Sequence, residues 1–223
     1  MKQYRYTLFD LDGTITDSGE GITKSAQYAL SKMGIQVPDP ARLRPFVGPP
    51  LMDSFQQFYG MNDEDAGKAV LFYRERYESK GIFECHPYPG IPELLAELDG
   101  RGVKVVAASS KPEYFVKKIL EHFRLERYFT ETVGPEIDER HPTKKDIISE
   151  AFRRCGIGKA EREKTVMIGD RRYDIEGARS TGIESIGVYY GFAEPGELEK
   201  AGATYIANTV KDLSDILLKL REL

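Results

Sequence analysis

Asp10 and Asp12 stand two residues apart in the string FDLDGT, directly after the run YRYTLF (Tyr4 to Phe9). Two carboxylates at the end of a strand can point into one site. One can attack phosphorus and form an aspartyl-phosphate, a known use of a carboxylate nucleophile. The other can protonate the leaving oxygen and later deprotonate water. Gly13 lets the backbone turn sharply enough to bring both into place. Further along, Ser109-Ser110-Lys111-Pro112 follows a second apolar run. A hydroxyl and nearby backbone N–H groups there can hold phosphoryl oxygens. An ordinary strand-to-helix turn with serine as its cap has the same composition.

Two more segments carry charge suited to the same reaction. Lys144 opens a helical pattern in PTKKDII. A cation there can neutralise a carboxylate nucleophile and a transferring phosphoryl group, although lysine runs are usually solvated faces. Spacing alone does not separate Lys144 from Lys145. In GDRRYD, Asp170 and Asp174 lie four residues apart, across a strand end and a helix start. Mg²⁺ takes oxygen ligands in near-octahedral geometry and keeps several waters. Asp170 together with Asp10 suits it. Both aspartates would also serve simply to cap the next helix.

The elements that must position these residues follow from the apolar pattern. VKVVAAS (Val103 to Ser109) and KTVMIGD (Lys164 to Asp170) are nearly continuous apolar runs. Such runs are expected of strands buried on both faces. Helical stretches are expected over Pro92 to Leu98, Glu113 to Phe123, Lys144 to Cys155 and Ile175 to Ser180. Short strands are expected near Thr132 and Val133, over Glu184 to Tyr190 and over Thr204 to Ala207, with a helix closing the chain. This alternation predicts an α/β fold, a doubly wound, Rossmann-like parallel sheet. In such sheets ligands sit outside the carboxyl ends of the strands. The loops after Phe9, Ala108 and Ile168 therefore converge on one crevice, and they hold FDLDGT, SSKP and GDRRYD.

The block between the first strand and HPYPGIP (His86 to Pro92) reads differently. Ile22, Ala26, Leu30 and Met33 recur at helical spacing, and Gly34 stops the pattern. A Pro-rich loop, Pro38 to Pro50, precedes a helix with Leu51, Phe55 and Phe58 on one face. A third helix carries Ala66, Val70, Tyr73 and Tyr77. The expected organisation is a core of residues 1–16 and 86–223 with an all-helical cap domain, 17–85, inserted beside the crevice.

Bulk properties exclude several classes. A net charge of −4 with no basic stripe argues against nucleic acid. No apolar run approaches the roughly 20 residues that span a bilayer, so no membrane partner is expected. The opening MKQYRYTLFD lacks the pattern of a signal peptide. Cys85 and Cys155 are far apart and form no metal-ligand cluster. Reduced thiols and a cytoplasmic location are the expectation.

In order and spacing, the four segments resemble motifs I to IV of the haloacid dehalogenase superfamily, along essentially the whole chain. The spacing is similar to the phosphoglycolate phosphatase-like branch. GPPLMDSF, SSKP, IGDRRYDIEGA and IGVYYGF look closest to its 5′-nucleotidase-like members. The resemblance implies a phosphatase of small phosphate monoesters, phosphoglycolate-like or nucleoside 5′-monophosphate, with Mg²⁺ as cofactor. It implies Asp10 as nucleophile and metal ligand. Asp12 becomes the general acid/base, with its carbonyl on the metal. Ser109, with Ser110, becomes the phosphoryl-binding group and Lys144 the motif III lysine. Asp170 becomes a metal ligand, and Asp174 supports the metal site or the lysine. Gly48, within FVGPPL, falls where cap residues commonly face the site. Arg171 and Arg172 depart from the pattern, which places a guanidinium either at the cleft mouth or on the surface, the surface being the expectation.

Other reactions of the superfamily fit less well. Its dehalogenases lack the second motif I carboxylate, so Asp12 argues against dehalogenation. A phosphonatase needs a cap lysine, for which Lys24 and Lys80 qualify by type only. β-Phosphoglucomutase chemistry shares Asp10, Asp12 and the metal site. A non-catalytic phosphate- or partner-binding module is the alternative from another class.

Overall fold

The computed structural model describes residues 3–137 and 142–219. They fall into two compact units: one takes the chain up to Thr16 and from Pro87 onward, the other is Asp17–His86. In chain order the elements are β1 (Tyr6–Phe9), β2 (Thr16–Asp17), α1 (Gly19–Lys32), α2 (Leu51–Tyr59), α3 (Asp63–Ser79) and β3 (His86–Pro87). Then come α4 (Ile91–Gly100), β4 (Lys104–Ala108), α5 (Glu113–His122), β5 (Phe129–Val133), α6 (Lys144–Cys155) and α7 (Lys159–Arg162). The rest are β6 (Thr165–Gly169), α8 (Arg172–Thr181), β7 (Glu184–Val188), α9 (Glu197–Ala201), β8 (Tyr205–Ala207) and α10 (Val210–Lys219). No described helix is long and apolar enough to cross a membrane.

The α/β unit holds a six-stranded parallel sheet in the order β5-β4-β1-β6-β7-β8. The doubly wound arrangement read from the alternating pattern is therefore present. Every residue of β1 and β6, and all of β4 after Lys104, is buried. Helices cover both faces, which is why these strands carry apolar side chains without alternation. On one face Leu8, Val106 and Met167 pack with Ile147, Ile148 and Phe152 of α6 and Ala178 of α8.

The register decides where the chemistry falls. Phe9 stands opposite Ala107 of β4 and Ile168 of β6. Asp10, Ser109 and Asp170 consequently emerge at the same edge of the sheet, within one or two residues of the last paired positions. β1 lies between β4 and β6, where the connections turn to opposite sides, the place such sheets leave a crevice.

The helical unit contains α1, α2 and α3. The segment expected as a loop, Pro38 to Pro50, includes a 3-10 helix over Pro40–Phe46, and Asp39 caps it by accepting from Ala41 N at 2.9 Å. Proline fixes φ near helical values, so a Pro-rich stretch can start a turn as well as break one. Two strands also differ from the apolar reading. β5 begins at Phe129 rather than near Thr132. β7 ends at Val188; Tyr189 N–H still donates to Ala207 O at 2.9 Å, and the chain turns from there.

Candidate active site

Asp10 extends the ladder beyond β1, its N–H donating to Ile168 O at 2.9 Å. The chain then closes on itself. The N–H groups of Thr14, Ile15 and Thr16 converge on Leu11 O at 3.3, 2.9 and 3.0 Å, and Gly13 N donates to Thr16 O at 2.8 Å. Gly13 has φ +80°, and a Cβ there would lie 2.0 Å from Asp170 Oδ2. Only glycine meets both demands. The 10–14 loop thus rests directly on the carboxylate after β6.

Lys144 is the first residue of α6. Thr143 and Asp146 form a capping box that fixes the helix start. This geometry buries Lys144 and exposes Lys145, a distinction that spacing alone left open and the family resemblance assigned to Lys144. Lys144 Nζ lies 2.9 Å from Asp10 Oδ1, 2.7 Å from Asp174 Oδ1 and 3.2 Å from Ala108 O. Burial alone would push its pKa down. The neighbouring Asp10 and Asp174 carboxylates outweigh burial and hold it above the ordinary lysine value.

Asp170 and Asp174 are also buried. Asp170 Oδ2 accepts from Phe192 N at 2.8 Å, while Oδ1 has no hydrogen-bond partner among the described residues. Burial, then the charges of Asp10 and Asp174, push the Asp170 carboxyl well above the usual range. Burial raises Asp174 to about 6, against the pull of Lys144. Asp174 Oδ2 accepts from Arg171 N at 3.2 Å, so this residue both caps α8 and pairs with the lysine.

Among the described residues, Asp10, Asp170 and Asp174 offer carboxylate oxygens within 4.8 Å of one another. One ammonium faces these three carboxylates, so two negative charges remain in excess. A buried excess of that kind must be met by protons or by a cation. An all-oxygen donor set with an unpartnered Oδ1 fits a hard divalent ion such as Mg²⁺.

Ser109 is buried at the end of β4. Its N–H donates to Val133 O at 3.0 Å, and its Oγ accepts from Lys111 N at 3.3 Å. Ser110 is half-buried in the same turn. Lys111, to which its sequence context assigns no role, places Nζ 3.0 Å from Asp12 Oδ2. The other Asp12 oxygen is buried without a partner among the described residues. The only sequence signal for Lys111 was its position two residues past a strand-end hydroxyl. Tyr190 is another residue the sequence left unassigned, and its hydroxyl donates to Thr14 O at 3.0 Å.

Arg172 is exposed, over the ring of Tyr173. Arg171 is only half-buried, with Nε 3.0 Å from Glu197 Oε1 at the start of α9. That Glu197 oxygen also accepts from Arg172 N at 2.8 Å. Gly48 belongs to the helical unit, in the turn before α2, half-buried with φ +105°.

A parallel sheet with β1 at its centre, two aspartates after β1, a hydroxyl after β4, a buried lysine and acids after β6 define a class. The chain belongs to the haloacid dehalogenase-like hydrolases, whose family model matches residues 7–188. A 5′-nucleotidase of Pseudomonas aeruginosa is 42% identical over 215 residues, 96% of each chain. The tyrosine-protein kinase PtkA of Mycobacterium tuberculosis is 34% identical over 94% of this chain and 71% of its own. The crystal structure of a predicted phosphatase from Clostridium acetobutylicum superposes with a TM-score of 0.93 at 47% identity, covering 98% of this chain and all of the other. This chain is a hydrolase of the phosphatase type.

Proposed function

We propose that this enzyme hydrolyses small phosphate monoesters through an aspartyl-phosphate on Asp10, with Mg²⁺ as cofactor. The observation that carries the reading is the buried Lys144, held 2.9 Å from Asp10 and 2.7 Å from Asp174 beside an unpartnered Asp170 oxygen. Lys144 fixes Asp10 Oδ1, which leaves Oδ2 to attack phosphorus. As the bond from Asp10 to phosphorus forms, the bond to the leaving oxygen breaks. Asp12 gives that oxygen a proton. Asp12 then takes a proton from water as the water oxygen attacks phosphorus, and the bond to Asp10 breaks in turn. Ser109 Oγ and the backbone N–H groups of its turn hold the phosphoryl oxygens. Asp10, Asp170 and the Asp12 carbonyl would hold the metal, with Asp174 supporting it. Mg²⁺ bound there would supply positive charge to the phosphoryl oxygens.

Substrate selection is assigned to the helical unit, inserted directly after the Asp10–Thr14 loop. The leading substrates are nucleoside 5′-monophosphates, supported by the 42% identical 5′-nucleotidase, and phosphoglycolate-like acids. The test is kcat/KM with Mg²⁺ across nucleotides, phosphoglycolate, sugar phosphates, an aryl phosphate, ATP and a phosphoprotein. No phosphate release from any of them would favour a binding module. Interconversion of sugar phosphates would favour the mutase alternative. A phosphoprotein as best substrate would refute the small-ester assignment.

Metal binding carries its own pH signature. The raised Asp174 and Asp170 hold protons in the metal-free protein at pH values where an exposed aspartate is ionised. Mg²⁺ must displace them, so affinity is expected to fall as pH drops through about 6. The fall should approach about tenfold per pH unit for each proton displaced. Calorimetric titrations at pH 5.5 and 7.5 check it. Equal affinity at both would remove the buried carboxylates from the binding site.

A further inference from the structure

The segment after β7 is packed between the two halves of the acidic site. Tyr190 donates its hydroxyl to Thr14 O at 3.0 Å, and its ring meets Tyr88 edge-on, with centroids 4.8 Å apart. Phe192 N–H holds Asp170 Oδ2 at 2.8 Å. Between them, a Cβ on Gly191 would lie 2.3 Å from Gly13 O and 2.6 Å from Asp170 Oδ2. A Cβ on Gly13 would meet the same Asp170 oxygen and would lie 2.8 Å from the Phe192 ring. Three consecutive residues therefore touch the loop that carries Asp10 and Asp12 and also the carboxylate after β6.

We infer that Tyr190, Gly191 and Phe192 form a positioning clamp for the divalent-cation site, a reading that rests on the Mg²⁺ assignment above. The Phe192 N–H occupies Asp170 Oδ2 and so leaves Oδ1 as the oxygen offered to a cation. The Tyr190 hydroxyl pins Thr14, which keeps the 10–14 loop closed against Asp170. Gly191 makes the approach possible, because any side chain there would drive the loop and the carboxylate apart. Groups that orient metal ligands through hydrogen bonds are commonly worth 10- to 100-fold in metal affinity. One neutral hydrogen bond, acting through the loop, is worth about three- to tenfold.

Tyr190→Phe removes one hydroxyl and keeps the ring against Tyr88, so it is the variant of choice. Calorimetric titration with Mg²⁺ alone should show its Kd raised about three- to tenfold. At saturating Mg²⁺ its KM for a phosphate ester should stay at the parent value. Gly191→Ala should weaken Mg²⁺ roughly 100-fold. If Gly191→Ala does not fold, Tyr190→Phe decides. An unchanged Mg²⁺ Kd in Tyr190→Phe, whatever its melting temperature, would overturn the clamp, because a merely structural role lowers stability without touching metal affinity. A parent protein that takes up no Mg²⁺ would instead overturn the metal assignment itself.

Discussion

Asp10→Asn is expected to lower kcat on the order of 10⁴-fold or more, while the metal-free protein keeps or gains stability. An amide oxygen is a poor nucleophile, and loss of a nucleophile is among the most costly changes an active site can suffer. The stability outcome has the opposite sign because of the charge count. Asp10 is one of three buried carboxylates facing a single ammonium, and its charge helps to push Asp170 and Asp174 upward. Removing it relieves that repulsion. Lys144 still has Asp174 Oδ1 at 2.7 Å and Ala108 O at 3.2 Å. Single-turnover kinetics and a melting curve for the same preparation check both halves. Turnover within tenfold of the parent would sink the mechanism. A large loss of stability would mean that Asp10 holds the fold together rather than storing strain for catalysis.

The positions of Asp10, Ser109 and Asp170 could be read from sequence for a simple reason. Each follows a short run of β-branched, aromatic or other apolar residues that reads as a strand, and parallel strands present their carboxyl ends at one edge. Which ends are neighbours is set by the strand order, with β1 between β4 and β6. Lys144 was harder. Its distinction from Lys145 is a matter of helix phase, set by the Thr143 cap, and a one-residue change in phase would have exchanged them. Lys111 and Tyr190 were harder still. Neither sits at a characteristic spacing, and each acts through a contact between residues far apart in the chain: Lys111 with Asp12, Tyr190 with Thr14. Tyr190 even reads as strand, since it ends the β-prone run IGVYY of Ile186 to Tyr190. In the structure the strand ends at Val188, and the Tyr190 hydroxyl donates to the Thr14 carbonyl. The 3-10 turn over Pro40–Phe46 was hidden by the same ambiguity of proline, which ends some helices and starts others.

Lys144→Met is expected to damage both activity and stability. The methionine has a similar length but leaves three buried carboxylates without their cation. Breaking a buried ion pair by removing one partner costs about 3–5 kcal/mol, which for a chain of this size lowers Tm by roughly 10 °C. The transferring phosphoryl group also loses a fixed positive charge, worth on the order of 10²- to 10³-fold in kcat. The loss of stability should depend on pH. Burial raises Asp174 and Lys144 pulls it back, to about 6. Without the lysine its pKa rises further. A carboxyl whose folded pKa lies above its unfolded one stabilises the fold below the unfolded value and loses that contribution as pH rises through the folded value. The Tm gap between parent and variant should therefore be small near pH 5 and widen towards pH 8. Adding Asp174→Asn to Lys144→Met should narrow the gap at pH 8, since one uncompensated charge is gone, without restoring turnover. Melting curves at pH 5.5 and 8 for the parent and both variants measure it. A gap that stays constant with pH would show that Lys144 supports the fold by packing rather than by charge, and would remove the electrostatic basis for its role beside Asp10.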